Sequence, residues 1–153
     1  MGLFDFFKFK PSPLIEDAFF GQLRFMDFKD PRKNYFEGSG LFTPIGQQIE
    51  YFIEANLPGP TLAQQQFYQA LQDKYADYVT RIQPLIIDEF RNWQPDFKIQ
   101  NFTDEFTLLS VTVPRLSTSS AAWDMSFSTV HDANHDITIY FLDEQPTSIL
   151  IDG

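Results

Sequence analysis

The order in which hydrophobic periodicities succeed one another constrains this chain more than any single motif. Segments that alternate apolar and polar residues come first. A long stretch of helical period follows over residues 61–93, and a second block of alternating segments runs to residue 153. A strand buries every second residue, whereas a helix buries a stripe recurring every three or four. The succession therefore predicts an α+β fold: an antiparallel sheet of about six to seven strands with one long kinked helix packed on one face. At 153 residues the chain is the size of one domain, and no interdomain linker interrupts it.

The helical stripe is explicit. Phe67, Leu71, Tyr75, Tyr78, Ile82, Ile86, Phe90 and Trp93 recur in steps of three or four and should face the sheet. Trp93 is expected to cover the sheet edge, and Trp123 to lie in the core. Thr61 and Gln64 have capping-box spacing. Gln64, Gln65 and Gln66 read as surface residues. A straight helix over 61–93 would measure about 50 Å, longer than the roughly 40 Å width of a compact chain of this size. Pro84 removes a ladder hydrogen bond, so a break is expected near residues 80–83.

Strands are expected over 19–25, 35–42, 48–55, 106–113, 122–130, 136–142 and 148–151. Short connections make antiparallel neighbours of the first three. Gly38 and Gly40 inside the second strand imply a bulge or a close approach by another part of the chain. Residues 131–134 and 143–146 read as hairpin connections.

Residues 1–13 form a separate feature. Leu3, Phe4, Phe6, Phe7 and Phe9 make them strongly apolar, and Pro11 and Pro13 end any regular element. An arm or short helix packed on the domain is the expected role. Weak peripheral membrane contact helped by Lys8 and Lys10, or a homodimer contact, are the alternatives. The charges follow the apolar run, unlike a signal peptide. Phe6 occupies the position where a myristoylation signal requires Ser or Thr. No apolar run is long enough for a transmembrane span.

Charge narrows the functional classes. The chain carries 21 acids against 11 bases, a net −10, which disfavours nucleic acid. From residue 94 onward nine acids face only Lys98 and Arg115. Such an acidic half suits a basic protein partner, with Asp132, Asp136, Asp143 and Glu144 as candidate contacts. The chain has no cysteine, which excludes disulfides and thiolate chemistry within it and fits a reducing cytoplasm.

Chemistry-bearing constellations are few. His131, Asp132 and His135 carry imidazole and carboxylate groups suited to a divalent metal, with Asp124 as a contributor from the adjacent strand. Asp and Asn also serve hairpin geometry, which accounts for the same cluster without metal. No nucleophile elbow, phosphate loop or dinucleotide fingerprint occurs, so no cofactor is expected. A pocket for a small molecule among aromatic side chains between helix and sheet is a further alternative.

Phe20-Gly21-x-Leu23, Phe36-Glu37-Gly38, the Gln-rich helix start, Trp123-x-Met125-x-Phe127, His135-x-Ile137-x-Ile139-x-Phe141 and the terminal Asp152-Gly153 succeed one another along most of the chain. This layout resembles small bacterial domain families of unknown function, some of them immunity proteins encoded beside polymorphic toxins. The resemblance implies a cytoplasmic, non-enzymatic protein-binding module and transfers no catalytic residue.

Overall fold

A computed structural model describes residues 12–152. The apolar segment 1–11, with the packing, membrane or dimer role expected of it, lies outside the described residues. The described residues form one eight-stranded sheet whose strands lie side by side in sequence order: β1 Leu14–Asp17, β2 Gly21–Met26, β3 Tyr35–Phe42, β4 Gln47–Ile53, β5 Phe106–Val113, β6 Ala122–Thr129, β7 Asp132–Leu142 and β8 Gln145–Asp152. Between β4 and β5 come α1 Leu62–Asp73, α2 Tyr75–Phe90 and the short α3 Phe102–Glu105.

The α+β class and the antiparallel character hold, with two corrections to the sheet. It has eight strands, because Leu14–Asp17 pairs with β2 and the Pro13 carbonyl extends the ladder by accepting the Phe25 amide at 2.8 Å. One seam, β4–β5, is parallel. Every other neighbour is joined by a short reversal, but the helical excursion brings the chain back beside β4 in the same direction, as a crossover connection does.

The helix is corrected as well. It is not one long rod broken at Pro84 but two helices meeting at Lys74, whose amide caps α1 on the Ala70 carbonyl and whose carbonyl accepts from Asp77 and Tyr78. Pro84 sits inside α2 on its exposed side. The Thr80 carbonyl it leaves without an amide is also on an exposed residue, while Ile82 and Ile86, both 0% exposed, clamp the helix to the sheet on either side. At 1.5 Å per residue the two helices are about 18 and 24 Å long, which fits the sheet they cover.

One sheet face and the buried sides of α1 and α2 make the core. Gly38, Tyr51, Val111, Met125, Ile139 and Ile149 run in register across β3 to β8 on this inner face. Phe36, Phe42, Phe90 and Phe127 are wholly buried, each contributing roughly 1.5–3 kcal/mol by removal from water. The close approach expected at Gly38 and Gly40 is made by the Tyr51 ring. A Cβ on Gly40 would lie 3.0 Å from it, and one on Gly38 would lie 2.6 Å from Leu23 Cδ2. The Tyr51 hydroxyl donates to the Phe20 carbonyl, with the Ser39 carbonyl 3.1 Å away, so the ring is held in place.

The helical stripe also differs in detail. Tyr68 is buried beside Leu71, while Phe67 is half-buried with its ring edge-on to Trp123 at 5.3 Å. Trp123 is core, 3% exposed, and donates its Nε1–H to the Asp143 carbonyl. Trp93 covers no sheet edge: it is 51% exposed and only leans on Phe90. Gln64 is not a surface residue but 1% exposed. It completes the capping box with Thr61 and donates to the carbonyls of Glu54 and Pro114, tying the start of α1 to the ends of β4 and β5.

Candidate partner-binding face

The second face of the sheet has no element packed on it among the described residues. Strand alternation that sends Phe36, Ile53, Val111 and Ile139 inward sends their neighbours outward. One outward row crosses all eight strands in register: Leu14, Arg24, Glu37, Phe52, Thr112, Asp124, Tyr140 and Ser148. The next row runs Ser39, Glu50, Ser110, Ser126, Thr138 and Leu150. Short hydroxyl side chains thus occupy the middle of the face. Ser126 and Thr138 lie 2.8 Å apart through their hydroxyls, and Thr112 donates to Asp124 Oδ1 at 3.1 Å.

Carboxylates surround that hydroxylic centre. Glu50, Asp136 and Asp152 line one recess together with Ser110, Ser126 and Thr138. Asp136 and Asp152 stand directly opposite each other on β7 and β8. Glu54, Asp124 and Thr112 line a second recess walled by Tyr140 and Leu142. Burial pushes the Asp124 carboxyl above its ordinary range, against the pull of the Thr112 hydroxyl. Burial likewise raises Glu54, opposed by Arg115 and reinforced by Asp124. Among the described residues no Lys or Arg lines either recess. Arg115 is turned to the β2–β3 connection, where it donates to the Pro31 and Asn34 carbonyls.

The residues singled out from sequence do not share one place. β7 is 11 residues long, so Asp132 at its start and Asp143 just beyond its end are about 35 Å apart. Asp132 accepts from its own hairpin, at the Asn134 amide and at His135 Nδ1, 2.8 Å away, which holds its carboxyl below the usual range. Asp143 caps the Ala121 amide from a left-handed backbone position (φ 54°). Glu144 pairs with Lys74 at 2.5 Å, which lowers its pKa. Of the four candidate contacts only Asp136 lies on the open face.

The metal constellation is divided too. The hairpin turn falls at Val130 and His131, and β7 already begins at Asp132. His131 turns to Glu105, its Nε2 at 2.6 Å from Oε1, among the rings of Phe90, Phe97 and Phe106. His135 turns to Asp132, and Asp124 is opposite Thr112 and Tyr140, away from the hairpin. Among the described residues no three His, Asp or Glu side chains converge as a metal site.

Sequence reasoning missed Glu105 as the partner of His131, since 26 residues separate them. It also missed Glu50 and Asp152 as members of one recess: alternation alone turns Glu50 outward, but only the register brings it beside Asp136 and Asp152. Between helices and sheet, a cleft of about 70 Å³ beside Tyr75, Phe102 and Phe106 is too small for an ordinary ligand. Among the described residues no helix is long and apolar enough to cross a membrane. No protein-family model, curated protein or solved structure matches the chain.

Proposed function

We propose that this chain is a cytoplasmic, non-enzymatic protein-binding module, of the immunity type that its layout resembles, and that it receives a basic partner on the open face of β4–β8. The single supporting observation is the recess of Glu50, Asp136 and Asp152. Like charges directly opposite on neighbouring strands destabilise a sheet, and Asp136 and Asp152 are such a pair, with no lysine or arginine among the described residues lining their recess. A Lys- or Arg-bearing surface would remove that repulsion on binding and would be steered to the face by its field. The surrounding serines and threonines supply donors and acceptors for the partner's polar groups. In this reading Asp136 of the acidic C-terminal half is joined by Asp152 and by Glu50 of β4, and Asp132, Asp143 and Glu144 are not contacts.

Affinity capture from source cells tests this, comparing the wild-type chain with a Glu50→Gln/Asp136→Asn/Asp152→Asn variant at low and high salt. A basic protein held by the wild type at low salt, and released by high salt or by the variant, is the expected result. Identical capture by both chains, or capture of acidic proteins alone, refutes the assignment.

A further inference from the structure

The two edges of the sheet differ. Among the described residues β1 and β8 are its end strands, each paired on one side only. An edge strand presents a row of unpaired N–H and C=O groups to any extended chain that can lie beside it. β1 offers only four residues. β8 offers eight, and Pro146 and the register shift at Tyr140 and Phe141 blunt only its start. From Ser148 to Asp152 the ladder is regular and holds none of the lysine, proline or bulge devices that keep edges from pairing. No backbone group among the described residues bonds to the outer side of this stretch. Leu150 is 46% exposed, and Ile149 and Ile151 are only half-buried where α2 covers the end of the core.

We propose that the basic partner enters as an added strand, an extended segment laid antiparallel along Ser148–Asp152. This rests on the partner reading of the open face and adds the partner's conformation and residue pattern to it. Main-chain hydrogen bonds supply the affinity of such an addition, and alternate side chains its specificity. Alternation turns Ser148, Leu150 and Asp152 to the open face and Ile149 and Ile151 to the helices. A segment reading Lys/Arg–x–aliphatic–x–Ser/Thr sets its cation opposite Asp152 and beside Asp136, its aliphatic side chain on Leu150 and its hydroxyl on Ser148. Aliphatic residues at the two x positions close over Ile151 and Ile149. Charge selects this occupant. Asp152 is the one charged residue of β8 and already faces Asp136, and an opposite charge directly across a strand pair stabilises it. A second copy would bring the same aspartates and a net −10 to the edge, which adds repulsion instead.

Synthetic peptides test this on the full-length chain, read by NMR hydrogen exchange. The parent peptide is built on Lys-Ile-Val-Ile-Thr between flanking lysines. It should protect amides of Ser148–Asp152 that exchange freely in the chain alone, and leave β1 unchanged. Two further peptides carry N-methyl groups on every second amide, one in each register. Only alternate donors of an added strand face β8, so one register should weaken binding by about tenfold or more and abolish the protection, and the other should not. Absence of binding, equal effects of the two methylations, or protection confined to β5–β7 overturns the added strand. Protection of β8 that grows with chain concentration in the absence of peptide makes the occupant a second copy and overturns it too. The two readings fail separately. A peptide with glutamine for every lysine that binds as tightly as the parent refutes the basic partner, whereas binding that needs lysine but treats both methylations alike refutes the added strand alone.

Discussion

Removing the Gln64 amide is expected to cost far more than loss of an exposed glutamine. Its Oε1 accepts from the Thr61 amide at 3.0 Å, while Nε2 donates to the carbonyls of Glu54 at 2.8 Å and Pro114 at 2.9 Å. Each bond is worth about 1 kcal/mol net, and a buried carbonyl left without a donor costs about 1–3 kcal/mol. Loss of the reciprocal cap adds about 1 kcal/mol. Gln64→Ala should therefore destabilise the fold by about 2–4 kcal/mol, a fall of about 5–15 °C in Tm for a chain of this size, whereas Thr61→Ala should cost only about 1 kcal/mol. Gln64→Glu separates hydrogen bonding from size. It keeps the volume and the acceptor but turns a carboxylate oxygen onto two carbonyls. Burial and those carbonyls would raise the new carboxyl's folded pKa. The protonated carboxyl has one O–H for the two carbonyls, so one lost bond costs at every pH, while the ionisation penalty is absent below its unfolded value of about 4.3 and complete once the pH passes the folded value. Urea denaturation at pH 4 and pH 7 measures this. A cost below about 0.5 kcal/mol for Gln64→Ala, at the level of an ordinary surface change, refutes the reasoning. So does a Gln64→Glu penalty that does not grow with pH.

Gly38→Ala is expected to destabilise by about 1–3 kcal/mol in chemical denaturation, because its Cβ would lie 2.6 Å from Leu23 Cδ2 and 3.0 Å from a tethered Tyr51 ring; Gly46→Ala meets no atom within 4 Å, so its cost comes from φ 64° alone. Asp124→Asn should stabilise the free chain at pH 7 and lose that advantage at pH 4, since burial raises the folded pKa of Asp124 and its charge penalises folding only above the unfolded value of about 3.9; equal melting gains at both pH values would contradict it. Glu105 behaves oppositely. Burial raises its carboxyl, but the Asn101 and Gln100 amides and His131 outweigh this and hold it below its ordinary range. Its stabilisation is complete above the unfolded value of about 4.3 and lost as pH falls through the folded one. Glu105→Gln should therefore flatten the acid limb of a Tm-versus-pH curve, and an unchanged limb would count against the assignment.

Elements whose residues choose their own conformation were legible in the chain. Seven of the eight described strands were legible, through alternation, Leu and Val content or the turns that bound them; Leu14–Asp17 was not, because its four residues are exposed or half-buried and carry no clear apolar face. The Thr61–Gln64 capping box is a local contact, so its spacing foretold it. The break at Lys74 was not legible. Proline is a strong local signal, but Ile82 and Ile86 bury enough apolar surface to hold the helix through Pro84. Trp93 shows the reverse error: helical phase puts it in the stripe, but α2 ends at Phe90 and leaves it half exposed.

By itself the sequence determined the class of the fold, the aromatic core and the surplus of acid, because periodicity and composition act residue by residue through local geometry and solvation. Tertiary structure alone decided the parallel β4–β5 seam, the pairing of His131 with Glu105, the burial of Gln64 and the meeting of Glu50, Asp136 and Asp152 on one face of the sheet. Each of these joins residues far apart in the chain. Their contact depends on strand register and on the route of the helical crossover, which no local pattern encodes.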